Sequence, residues 1–120
     1  MVPQVSETLR QKQSRFVRDV VKLLDHAHKL GYDLTFGETY RTPEQAEINA
    51  RRGTGIRMSL HTQRLAIDIN LFRGGVYLDM TDHHKGLGTF WKSLGPDHRW
   101  GGDFHKPDGN HYSIEHEGRS

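Results

Sequence analysis

The stretch "SLHTQRLAIDIN", Ser59 to Asn70, sets a histidine and an aspartate seven residues apart, at His61 and Asp68. An imidazole and a carboxylate can hold a transition metal together, or hold and pass a proton. Leu65, Ile67, Ile69 and Leu71 fall on one parity and Ala66, Asp68 and Asn70 on the other. That is the period of a half-buried strand with Asp68 turned outward. Seven is odd, so in a straight strand His61 would point the opposite way, and the polar "HTQR" must turn the chain if the two are to meet. Further on, "PDGNHYSIE" offers a second strand in which Tyr112 and Ile114 share one face and His111 and Ser113 the other. With Ile114 in the core and the two strands adjacent, His111 joins Asp68. Two imidazoles and a carboxylate with a fourth position open is the plan of a catalytic zinc site, and cobalt or manganese suit the same donors. Asp108, three residues before His111, is placed to act as a general base, and Arg41 to hold a carboxylate or a developing oxyanion.

Each residue alone also has a plainer reading. His61, Asp68 and His111 could be hydrogen-bonded structural groups. Asp108 sits in "PDGN", a sequence any turn would use, and Ser59 also suits a turn. Arg41 could be a surface arginine near a helix start. His83 and His84 offer a second metal pair, but adjacent side chains diverge and a solvated pair is the expectation. His105 is a weaker candidate for substrate contact, and Trp100 before Gly101-Gly102 reads as a core anchor followed by a tight turn.

The elements that must carry these groups follow from pattern and punctuation. From Ser6 or Ser14 to Leu30, Phe16, Val20, Leu23, Leu24, Ala27 and Leu30 recur at helical spacing, with Asp19 among the polar positions and Gly31 as the stop. His26 and His28 read as surface residues. "YDLTFGETY" reads as the first strand, leaving Arg41 at its end. Thr42, Pro43 and Gln45 form a capping box for a second helix running to about Arg52, followed by the glycine loop "GTGIRMS". Gly74-Gly75 should turn a hairpin into Val76, Tyr77 and Leu78. An irregular stretch then leads to a short helix around Phe90, Trp91 and Leu94, and turn residues dominate from there to the last strand at His111 to Ile114.

At 120 residues, with 33% apolar and 27% charged residues and a mean hydropathy of -0.79, the chain suits one modest core, and residues 1–120 are read as a single domain. It contains no cysteine, which excludes disulfides, thiolate metal sites and cysteine nucleophiles. Any metal must sit on histidine and carboxylate, and seven of the nine histidines lie after residue 60. A net charge of +2 gives a mildly basic surface, but no aromatic-interleaved basic stripe is present, so nucleic acid is not an expected partner. The opening "MVPQVSETLRQKQSRF" lacks the apolar run of a secretory signal and no window approaches a transmembrane span. A cytoplasmic chain without stable membrane insertion is expected.

"SLHTQRLAID" resembles the S-x-H-x-x-G-x-A-x-D motif of the VanY-like zinc D-Ala-D-Ala carboxypeptidase and L-alanyl-D-glutamate peptidase family, which includes phage endolysins. "WGGDF" with "DGNHYSIE" resembles that family's C-terminal block and "YRTPEQ" its upstream arginine motif, all in the expected order from Tyr40 to Glu115. The resemblance implies an α+β fold of the D-Ala-D-Ala peptidase and Hedgehog-like kind, a small antiparallel sheet with flanking helices. It implies His61, Asp68 and His111 as zinc ligands, Asp108 as base, and Arg41 and Ser59 in contact with substrate or oxyanion. Arg64 stands where the motif has glycine, and the aspartate base points to the endopeptidase branch. The expected activity is an endolysin's cleavage of the peptidoglycan stem peptide at L-alanyl-D-glutamate. Such a lysin would be a monomer made in the host cytoplasm that reaches the periplasmic wall through a holin. The alternatives are a D-Ala-D-Ala carboxypeptidase and a zinc-containing, non-catalytic wall-binding module. A histidine-rich metal nuclease, resting on "DGNH" and basic charge alone, ranks last.

Overall fold

A computed structural model describes residues 6–53 and 59–120. Helix α1, Leu9–Lys29, starts at neither serine but at Thr8, whose hydroxyl accepts from the Gln11 N–H while the Gln11 side chain accepts from the Thr8 N–H. That reciprocal box satisfies two orphan donors, which a lone serine could not do. Phe16, Val20, Leu23 and Ala27 form its buried stripe, and Gly31 at φ 89° ends it. Two polar residues depart from the periodicity reading. Asp19 is buried because His98 Nε2 lies 2.8 Å from its carboxylate, and the His26 ring stacks on Phe90 with centroids 4.0 Å apart.

Strand β1, Asp33–Phe36, is shorter than "YDLTFGETY" suggested. Helix α2, Pro43–Arg51, begins where Thr42 accepts from the Gln45 N–H, but only half of the expected capping box forms, because the Gln45 amide reaches Asn49 instead. The glycine loop expected after it falls, for residues 54–58, outside the described residues.

Strand β2, Ala66–Arg73, is the centre of an antiparallel sheet. It pairs with β1, with β3 (Val76–Leu78) and with β5 (His111–Ile114), which in turn pairs with β4 (His98–Trp100). The β2–β3 hairpin turns on Gly74 and Gly75, both at positive φ, as a primed two-residue turn requires. Leu65, Ile67, Ile69 and Leu71 join Tyr112 and Ile114 in one core with the α1 stripe and with Leu87 and Trp91 of α3, Lys85–Ser93. This is the α+β arrangement of a small antiparallel sheet with flanking helices.

Strand β4 was hidden in the turn-rich tail, since three residues are too few to show a period. The expected solvated histidine pair is also corrected. His84 is buried with Nδ1 2.8 Å from the Tyr112 hydroxyl, and burial beside His83 lowers its pKa to about 4, so it stays neutral at physiological pH.

Trp100 does more than anchor the core. Its ring lies between Gly88 and Gly102, where an added Cβ at either position would overlap the indole. Its Nε1 donates to the Gly109 carbonyl at 2.7 Å, and Trp91 Nε1 donates to the Ser113 carbonyl at 3.0 Å. Gly88→Ala should destabilise the protein by about 1–3 kcal/mol through overpacking, read from the midpoint of denaturant unfolding. An unchanged midpoint would mean that the indole has room to move.

Candidate metal centre

Asp68 lies in β2 with both backbone groups engaged on the β1 side. Its N–H donates to the Glu38 carbonyl and its carbonyl accepts from the Gly37 N–H, each at 2.8 Å. Asp68 therefore faces His111 across β5 as a non-hydrogen-bonded pair, the register position at which antiparallel side chains lie closest. Glycine at position 37 lets the chain pass this close, since a Cβ there would stand 3.0 Å from the Asp68 Cβ.

His61 arrives from a 3₁₀ turn, Leu60–Gln63. The Ser59 hydroxyl accepts from the His61 N–H at 3.2 Å, and Arg64 closes the turn in the left-handed region at φ 55° and ψ 36°. This turn resolves the parity problem by bringing His61 round to the side of Asp68. An arginine in that conformation costs about 1 kcal/mol relative to ordinary backbone. Its guanidinium lies 4.1 Å from the centre of the Tyr40 ring, a cation–π contact that offsets part of the cost.

The three side chains converge as expected. His61 Nε2 is 3.3 Å and His111 Nδ1 3.4 Å from Asp68 Oδ1, and the two imidazole centroids are 5.2 Å apart. Both histidines are buried and Asp68 is half-buried. Burial alone would push the Asp68 carboxyl up, but the imidazoles of His111 and His61 outweigh it and hold it down at about 2. Asp68 is thus a carboxylate throughout the neutral range.

These donors fit a tetrahedral transition-metal ion. Ligand atoms about 2.0–2.1 Å from a tetrahedral centre stand about 3.3–3.4 Å from one another, which matches the two separations to Asp68 Oδ1. That oxygen is buried and lacks a hydrogen-bond partner although two ring nitrogens flank it. A bound cation would satisfy it. Among the described residues this is the group of histidine and carboxylate side chains whose ligand atoms lie within 4.8 Å of one another.

Asp108 stands beside the trio on a braced loop. Its N–H donates to the Gly101 carbonyl at 2.9 Å and its carbonyl accepts from the His111 N–H at 3.1 Å, while the Gly109 N–H donates to Thr81 Oγ1 at 3.2 Å. The residue is exposed, yet partial desolvation of the carboxyl and then the charge of Asp68 raise its pKa, against the pull of His111 and His61. Arg41 lies in the loop between β1 and α2 rather than at the strand end, because β1 stops at Phe36. Its N–H donates to the His61 carbonyl at 3.1 Å, its Nη2 donates to Glu38 Oε1, and its Nε is buried without a partner.

Residues 52–114, more than half of the chain, match a family described as D-alanyl-D-alanine carboxypeptidase. The chain belongs to this peptidase family. Among curated proteins, none matches it by sequence. Among solved structures it is similar to the Serratia marcescens L-Ala D-Glu endopeptidase ChiX, with a TM-score of 0.72 and 20% identity over 91% of this chain and 84% of that one. The two share a fold.

For this member of the carboxypeptidase family, the remaining expected site residues divide. Ser59 is buried and caps the turn that carries His61. His105 is exposed and makes no hydrogen bond, ion pair or ring contact among the described residues. Glu38 is the residue that sequence reasoning passed over. Its carboxylate pairs with Arg41 and stands 3.6 Å from His61 Nδ1. The available signal was its place in "GETYR", three residues before the arginine already singled out.

Proposed function

We propose that the protein is a zinc-dependent peptidase that hydrolyses the peptide stem of peptidoglycan at the L-alanyl-D-glutamate bond. The observation that carries this reading is the pairing of the metal-shaped His61, Asp68 and His111 donor set with a raised carboxyl at Asp108. His61, Asp68 and His111 would hold the ion, which when bound polarises a carbonyl and makes water a nucleophile near neutral pH. Asp108 takes the proton from the attacking water and returns it to the departing amine, so that one C–N bond is exchanged for a C–O bond and an N–H. The unpaired Arg41 Nε is a buried donor suited to the carbonyl oxygen on which charge develops, or to a neighbouring substrate carboxylate. Ser59 and His105 stand as further candidates for contact with the stem peptide.

The choice of bond is supported by the aspartate in the base position and by the activity in the name of the structurally similar ChiX. The family's description favours a second reading, release of a terminal D-alanine. In the wider proposal the protein is a monomeric phage or prophage endolysin that leaves its host's cytoplasm through a holin to act on the periplasmic wall. Among the described residues no helix is long and apolar enough to cross a membrane.

Digestion of purified Gram-negative peptidoglycan, followed by mass spectrometry of the soluble fragments, tests the proposal. New stem peptides beginning at D-glutamate, lost on chelation and regained with zinc, are the expected result. Free D-alanine would select the carboxypeptidase instead. Retention on the wall with no release would leave a binding module.

A further inference from the structure

We infer that Glu38 is a positioning residue of the metal centre: its carboxylate sets the tautomer and tilt of the His61 ring and couples that ring to Arg41. The inference rests on the reading of His61, Asp68 and His111 as metal ligands. His61 Nε2 faces Asp68 Oδ1 at 3.3 Å, which turns its Nδ1 toward Glu38 Oε1 at 3.6 Å. An imidazole that offers the lone pair of Nε2 to a metal carries its proton on Nδ1. That Nδ1 is buried and has no hydrogen-bond partner, and a buried donor is costly until an acceptor meets it. The separation is long for a hydrogen bond, and a small rotation of the half-buried Glu38 carboxylate would close it.

The rest of Glu38 is already fixed on the site. Its carbonyl accepts from the Asp68 N–H at 2.8 Å, and Arg41, three residues on, donates its own N–H to the His61 carbonyl at 3.1 Å. The Arg41 guanidinium donates to the same Oε1 that faces His61. One carboxylate oxygen therefore stands between a metal ligand and the group proposed to hold substrate. Glu38 is not itself a ligand, since it lies on the Nδ1 side of His61, away from the converging donors.

The test uses the full chain loaded with cobalt(II), whose affinity is read by competition with a chromogenic chelator and whose coordination is read from visible absorption. Wild type should bind one cobalt and His61→Ala should lose it. Glu38→Ala should bind about 10–100-fold more weakly, with a shifted visible spectrum. Glu38→Gln, which keeps an acceptor for Nδ1–H without the charge, should recover part of that loss. Arg41→Ala should bind cobalt nearly as wild type does, separating a role on His61 from a mere ion pair with Arg41. If Glu38→Ala does not fold, as judged by thermal unfolding without metal, Glu38→Leu, which keeps the bulk of the side chain but has no acceptor, carries the same two readouts. Wild-type affinity and spectrum in a Glu38 variant that has no acceptor, Glu38→Ala or Glu38→Leu, beside a wild type that binds cobalt through His61, overturns the inference alone. A wild type that binds no cobalt overturns the metal reading and this inference with it.

Discussion

Alanine in place of His61, Asp68 or His111 is expected to strip the protein of stoichiometric zinc and bring peptide hydrolysis to background. Each of these residues supplies a converging donor, and Asp68 alone supplies the anionic one, held as a carboxylate by its two imidazole neighbours. Two remaining donors fall short of the three protein ligands with which a catalytic site holds its ion. Metal analysis of the desalted variants, alongside the wall-digestion assay, reads the result. Full zinc occupancy in any one variant would remove that residue from the ligand set.

Asp108→Asn should have the opposite split, keeping zinc while lowering kcat by about 10²–10⁴, the usual contribution of a general acid–base group. The substitution is nearly isosteric, and the backbone bonds from Asp108 to Gly101 and His111 do not depend on its side chain. Only the proton acceptor is lost. Activity should fall as pH drops through the raised pKa of the Asp108 carboxyl, because the protonated form cannot act as base. The residual activity of Asp108→Asn should lack that acid limb. A wild-type rate in the variant would place the base elsewhere, with the exposed His105 the next residue to test.

The parts of this molecule that were legible in its sequence are those ruled by local chemistry. Strand alternation placed Asp68, Thr42 as the cap before Pro43 started α2, and paired glycines turned the β2–β3 hairpin. The odd spacing of His61 and Asp68 required a turn, and a 3₁₀ turn is there even though Arg64 occupies its left-handed position. What remained hidden depends on contacts between distant segments. Asp19 looks polar until His98, 79 residues away, meets it in the core, and His84 looks solvated until Tyr112 offers its hydroxyl. Strand β4 exists because β5 and the Trp100 ring hold it, not because three residues declare a period. Glu38 belongs to the same class. Its significance comes from facing His61, a relation that only the pairing of β1 with β2 creates.

The two indole hydrogen bonds have a consequence for how the protein can be watched. The chain has two tryptophans, and they donate to the carbonyls of Ser113 and Gly109, on either side of His111 and immediately after Asp108. All of its tryptophan emission therefore comes from rings tethered to the segment that carries the candidate base and the third candidate ligand. The native protein is labelled at its own centre, and a rearrangement of that segment would register in its fluorescence without any attached dye.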